Sequence, residues 1–276
     1  MKKVIKLLVC LLVLVVSVAF VGCGGKDSLD SIKEKGKIVI STSPDYAPWE
    51  FIDPSKTGQD QFVGADIELM KYIANKLGVE LEIKSTDFDT TLALLQTGAV
   101  DLAISGFTYK PERAENYEMS ISYDGEGSQG VLVLTENVAT YKDLASLNVA
   151  GVKVAGQNGS LQADYVGQYL PNAELKKVTK ISDGVLYLNE GEVKALAISS
   201  TAAESIIAQN PGKYTYLEET FPVPEEETQL FVLAQKGQKN LIEEINKILK
   251  EVVDKGLYKE WMEEAVELAE KTGDLE

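Results

Sequence analysis

The chain has 276 residues, with 27 basic against 43 acidic, a net charge of −16, two cysteines and no histidine. Lack of histidine removes the commonest neutral metal ligand and general base, which excludes Ser-His and Cys-His catalysis and histidine-based zinc chemistry. The acidic balance argues against nucleic acid as a partner, because phosphate binding needs a basic surface.

Residues 1–22 read as an export signal rather than as part of the fold. Lys2, Lys3 and Lys6 form a basic start, and Leu7 to Phe20 is almost wholly apolar. That run is short for a bilayer span, which needs about 20 residues. Val21-Gly22-Cys23 resembles a lipobox, with Phe20 where leucine is usual. Cys23 is therefore the expected lipidation site and mature N-terminus; an ordinary signal peptide or an uncleaved anchor are the alternatives. Cleavage would remove three lysines and deepen the charge to −19. Tethering would then fall to the lipid alone, since several acyl chains anchor stably and an acidic body gains nothing from an anionic membrane. Cys10 lies inside the signal, so the mature chain has one cysteine and no internal disulfide. Residues 23–28 are a tether.

Residues 37–42 (KIVIST) predict a strand, and the two prolines in Ser43-Pro44-Asp45-Tyr46-Ala47-Pro48-Trp49 exclude regular structure after it. Apolar residues at helical spacing predict a helix over 66–77, capped by Gly78. A strand over 79–83, a helix over 91–97 stopped by Gly98, and a strand over 100–104 ended by Gly106 follow. This β-α-β-α-β order predicts an α/β fold with a mostly parallel sheet. Beyond the third strand stand Ser105, Gly106, Thr108 and Arg113, where open α/β sheets bind ligands. Arg113 is the only arginine in the chain. Its planar fork suits a carboxylate; the plainer reading is a surface residue after a Pro-Glu turn.

A second unit begins after the glycine-rich stretch 125–130. Strands are predicted over 131–134, 148–155 and 194–198, the last running into Ser199. Gly156-Gln157-Asn158-Gly159-Ser160 follows the second of these, with Ser160 as the expected N-cap of a helix. It could form an anion-binding nest, but it lacks the P-loop lysine. The stretch 222–227 breaks the pattern, and 230–233 predicts another strand. Leu241, Ile242, Ile245, Ile248, Leu249, Val252 and Val253 form one helical stripe ended by Gly256, and a last helix starts at Leu257. Tyr46 and Trp49 could wall a ligand or plug the core beside Phe51. Asp87, Asp89 and Asp101 form no metal loop pattern, so no metal or cofactor is expected.

Several segments in this order resemble the polar-amino-acid solute-binding proteins of ABC importers. They are residues 43–51, 64–69, 94–108, Pro111-Glu112-Arg113, 157–161 and the closing 256–261. The resemblance covers about residues 29–265. It implies a type II periplasmic-binding-protein fold: two α/β lobes, each a mostly parallel sheet flanked by helices, joined by two crossing segments near 125–130 and 224–230. Lobe 1 would hold 29–128 and 229–276, and lobe 2 would hold 129–228. By resemblance Arg113 grips the ligand's α-carboxylate, with Ser105, Gly106 and Thr108 adding hydroxyl and backbone contacts. Tyr46 lines the side-chain pocket with Trp49 close by. Gln157, Ser160 and Leu161 contribute from the second lobe.

Three positions depart from the family pattern. Ser199 stands where an aspartate usually pairs with the ligand's α-ammonium, so either another acid reaches the amine, with Glu50 and Glu204 as candidates, or the ligand has no free amine. Ser43 replaces an acid and Ala65 an aromatic, which weakens the case for a strongly cationic ligand. The expected role is a monomeric, lipid-anchored, extracytoplasmic binder of an amino acid or similar carboxylate, serving an ABC permease and its ATPase and carrying no catalytic residue. A dehydratase- or lyase-like enzyme on this fold, with Glu50 or Glu204 as base, and a sensor reporting to a receptor are the alternatives.

Overall fold

The computed structural model describes residues 28–272. The export signal and Cys23 lie outside the described residues. After helix α1 (Ser28–Lys35), strand β1 (Lys37–Thr42) runs as an inner strand of a five-stranded sheet. The Tyr46–Trp49 loop leads into a small hairpin of β2 (Phe51–Ile52) and β3 (Phe62–Val63), and then into α2 (Ala65–Leu77). Gly64 makes this junction possible. Its φ is 119°, and a Cβ there would sit 2.2 Å from the Trp49 carbonyl oxygen. The approach lets the Ala65 and Asp66 N–H groups donate to the Pro48 and Trp49 carbonyls at 3.1 and 2.9 Å. Free donors at a helix start thus fasten the loop. Helix α2 buries Ile67, Leu69, Met70, Ile73 and Ala74 and ends at Gly78 in the left-handed region.

Strand β4 (Glu80–Ser85), helix α3 (Phe88–Gln96) and strand β5 (Leu102–Ala103) follow; β4 and β5 flank β1 and run parallel to it. Residues 111–116 form a short helix α4 (Pro111–Asn116), with proline at a position whose N–H would be unpaired in any case. Strands β6 (Tyr117–Met119) and β7 (Asp124–Gly125) lead out of this sheet.

The second sheet starts at β8 (Gln129–Leu134), buried throughout. Then come α5 (Leu144–Leu147), β9 (Lys153–Gln157), α6 (Leu161–Tyr169), β10 (Glu174–Val178), α7 (Ile181–Asn189), β11 (Ala195–Ser199), α8 (Ser200–Gln209) and β12 (Tyr214–Tyr216). The chain returns through β13 (Gln229–Leu230), which pairs antiparallel with β7. Strand β14 (Leu233–Gln235) inserts between β5 and β6, and α9 (Lys239–Lys255) and α10 (Leu257–Thr272) complete the described chain. The sheet orders are β4-β1-β5-β14-β6 and β10-β9-β11-β8-β12. In each, three strands run parallel and the last two alternate in direction. The protein is thus a two-lobed α/β fold with one sheet plan used twice.

Three sequence expectations are corrected. The strand placed at 148–155 begins only at Lys153 and runs to Gln157, because 144–147 form a helix held by an Asp143–Ser146 capping box. The strand placed at 230–233 is two: Leu230 belongs to β13 and Leu233 to β14. Val253 lies outside the buried stripe of α9, at 48% exposure. The six residues of that stripe that are buried each contribute about 1.5–3 kcal/mol of burial energy.

Candidate functional site

The carboxyl ends of β1, β5 and β9 face one cleft between the lobes. Eight of the ten predicted contact residues line it: Tyr46, Ser105, Gly106, Thr108, Arg113, Gln157, Ser160 and Leu161. Trp49 and Ser199 do not. Trp49 is fully buried behind Tyr46, with ring centroids 4.9 Å apart and planes inclined by 17°. It props the ring that faces the cleft. Ser199 is turned to Tyr46, its hydroxyl 2.7 Å from the Tyr46 hydroxyl, and also accepts from the Ala202 N–H as the N-cap of α8.

Arg113 projects from α4 and is 4% exposed. Nη1 donates to the Thr108 carbonyl at 2.8 Å and to Thr108 Oγ1 at 3.2 Å, and Nη2 donates to the Gly159 carbonyl at 3.3 Å. The guanidinium carbon lies 5.2 Å from the centre of the Phe107 ring and 5.7 Å from that of Phe88. Among the described residues no carboxylate lies within 4 Å of it. Of its five donors, at least two remain for a ligand. Burial pulls its pKa down to about 10, so it stays cationic at neutral pH.

The floor beside Arg113 rests on two buried acids. Ser105 Oγ donates to Glu50 at 2.8 Å and accepts from the Ser43 N–H at 3.0 Å. Asp66 accepts from the Gly106 N–H at 3.3 Å, Tyr123 at 3.0 Å and Tyr258 at 2.6 Å. Burial, then the Asp66 carboxylate, pushes Glu50 well above the usual carboxylate range. Burial raises Asp66 to about 6, opposed by its two tyrosine bonds and the Gly106 N–H. This pair fixes the backbone of Ser105 and Gly106 from behind. Glu50 therefore points away from the cleft, and Glu204 is exposed on α8. Neither candidate acid lines it.

The second lobe closes on the first through several bonds. Gln157 donates to Asp45 at 3.0 Å, and the Ile181 N–H donates to the same oxygen at 2.8 Å. Asn158 donates to Asp89 at 2.6 Å, and Lys110 pairs with Asp164 at 2.5 Å. Ser160 caps α6 as expected, accepting from Ala163 at 3.1 Å. Gly156 allows that helix to sit close, since a Cβ there would lie 2.9 Å from the Ala163 Cα.

Sequence reasoning missed Phe88, Gln162 and above all Glu126, all of which line the cleft. Glu126 is 2% exposed. Gln129 and Gln162 donate to its Oε2 at 2.9 and 3.1 Å. Its Oε1 faces Gly106 and Tyr46: a Cβ built at Gly106 would meet that oxygen at 3.2 Å and the Tyr46 ring at 3.3 Å. Burial raises Glu126 to about 8, opposed by the glutamine bonds and the Arg113 charge. The only sequence signal was an acid flanked by glycines at 125 and 127. Among the described residues no cluster of three or more potential metal ligands occurs, and no helix is long and apolar enough to cross a membrane.

Residues 38–266 match the family model of bacterial extracellular solute-binding proteins, family 3. The chain is 30% identical over 262 residues to the arginine-binding extracellular protein ArtP of Bacillus subtilis, spanning 93% of this chain and 97% of that protein. Its structure is similar to that of an amino acid ABC transporter substrate-binding protein from Streptococcus pneumoniae bound to L-arginine, with a TM-score of 0.81 and 34% identity over 88% of this chain and 98% of that one. It also resembles the ancestral amino acid-binding protein AncCDT-1, a precursor of cyclohexadienyl dehydratase, with a TM-score of 0.76 and 28% identity over 87% of this chain and 99% of that one. A match of this extent, on a doubled sheet plan with a single buried arginine at the cleft, makes the chain a member of the bacterial extracellular solute-binding proteins of family 3.

Proposed function

We propose that this protein captures one free α-amino acid between its two lobes and hands it, unchanged, to the permease and ATPase of an ABC importer. The observation that carries this reading is Arg113, a buried cation facing the cleft with open donors and no carboxylate within 4 Å among the described residues. An unpaired buried charge is costly, and a ligand carboxylate on the fork offsets that cost. In this reading Ser105, Gly106 and Thr108 frame the carboxylate, Tyr46 and Phe88 wall the side chain, and Gln157, Ser160 and Leu161 close over it from the second lobe. Trp49 and Ser199 act through Tyr46. Lobe 1 is 29–128 with 229–276, and lobe 2 is 129–228. Serine at 43 and alanine at 65 favour a side chain without strong positive charge. Export by residues 1–22, acylation at Cys23 and the tether 23–28 would hold a monomer at the outer face of the cell membrane, with no cofactor or metal. Family membership and the arginine-bound neighbour support the amino-acid class.

Arg113→Ala tests the reading by calorimetry. Losing a charge-assisted fork of about 3 kcal/mol weakens binding roughly 100-fold. Near-normal affinity in the variant would overturn the assignment.

A further inference from the structure

We infer that Glu126, on the first segment joining the two sheets, receives the ligand's α-ammonium. The inference rests on the amino-acid reading above and adds a specific amine site to it.

Three observations converge. First, Arg113 and Glu126 are a buried cation and a buried carboxyl group that line one cleft, yet no ion pair within 4 Å joins them among the described residues. Glu126 has only neutral amides on Oε2. A zwitterion placed between them serves both groups at once: its carboxylate pairs with the guanidinium, and its ammonium pairs with the free oxygen of Glu126, whose proton leaves to solvent. Second, Oε1 borders a space that exists because residue 106 has no side chain. That space lies between the acid and the Tyr46 ring, where an ammonium gains from the aromatic face as well. Third, the other candidates do not serve: Ser199 is neutral and bonded to Tyr46, and neither Glu50 nor Glu204 lines the cleft.

The position also suits a closing site. Glu126 N–H donates to Thr228 on the other joining segment, its carbonyl accepts from Thr201, and Gln162 reaches it from α6. An ammonium bound there touches the hinge itself. The groups facing Glu126 are Arg113 from α4, Asp66 from α2, Tyr46 from the first loop, Tyr165 from α6 and Tyr216 from β12. Burial lifts the three tyrosines further above a range in which they are already neutral at pH 7, Asp66 titrates near 6, and Arg113 stays charged. Glu126, near 8 when empty, is the group among these that an arriving ammonium would ionise near neutral pH.

The test is calorimetry of the protein and of Glu126→Gln with the best-binding amino acid and its deaminated analogue. Wild type prefers the amine-bearing ligand. In E126Q, amino-acid affinity falls about 100-fold, and affinity for the deaminated carboxylate changes less than about 3-fold. Equal loss for both ligands, or unchanged amino-acid affinity, would overturn the inference while leaving the amino-acid reading intact. Failure of wild type to bind any amino acid would overturn that reading and this inference together. Should E126Q fail to fold, wild-type binding measured near pH 7 in buffers of different ionisation heat decides: release approaching one proton supports the amine site, and no release contradicts it.

Discussion

Replacing Gly106 by alanine probes the cleft at its tightest point. Gly106 has a φ of 56°, a left-handed conformation that a non-glycine residue adopts at a cost of about 1–2 kcal/mol. For a protein of this size that corresponds to a melting point lower by roughly 2–8 °C. The new methyl would lie 3.2 Å from Glu126 Oε1 and 3.3 Å from the Tyr46 ring, both closer than ordinary van der Waals contact at about 3.5–4.0 Å. Tyr46 cannot retreat, because Trp49 stacks 4.9 Å behind it. Glu126 can swing only by straining its Gln129 and Gln162 bonds. The methyl therefore occupies ligand space, and affinity should fall at least about 10-fold beyond anything the stability loss explains. Thermal melts of the empty protein and calorimetry with the best amino acid separate the two effects. A variant that is destabilised yet binds like wild type would refute the placement of the ligand against Gly106.

Two further outcomes are expected. Tyr46→Phe keeps the ring on Trp49 but removes its 2.7 Å bond to Ser199, a cross-lobe contact worth about 1 kcal/mol, so affinity should fall about 5-fold; unchanged affinity would mean that closure does not use this bond. The ligand-free protein should lose stability as pH rises from about 5 to 8. Glu126, near 8 in the fold against 4.5 as a free side chain, makes the folded state hold more protons in that window, and Asp66, near 6, adds the same sign below it. The change is on the order of 3–5 kcal/mol at most, and E126Q should flatten its upper part in chemical-denaturation curves; parallel curves for the two proteins would show that the acid does not titrate there.

Much of this was legible from local chemistry. Apolar spacing and a terminal glycine define α2 and α9, because a helix must bury one stripe and end where a left-handed residue is tolerated. That Ser105, Gly106, Thr108 and Arg113 would lie together beyond a strand end was legible too, because a glycine ends the strand and the chain turns there along the open edge of an α/β sheet. What escaped depends on partners distant in sequence. Glu126 sits in a run that reads as a linker, and the groups around it come from Gly106, Gln162 and Thr228, far apart in the chain. Trp49 and Ser199 are spaced like ligand contacts, but their partner is Tyr46, which spacing cannot reveal. The apolar Val149 belongs to no strand: it is 50% exposed in a turn after the capped helix α5.

The most direct measurement is a thermal-shift screen of the protein against the common amino acids. A ligand held at 100 times its Kd stabilises the fold by about 2.7 kcal/mol, or roughly 5–10 °C here. The account predicts a saturable shift of that size with one or a few amino acids. No shift with any of them would contradict it.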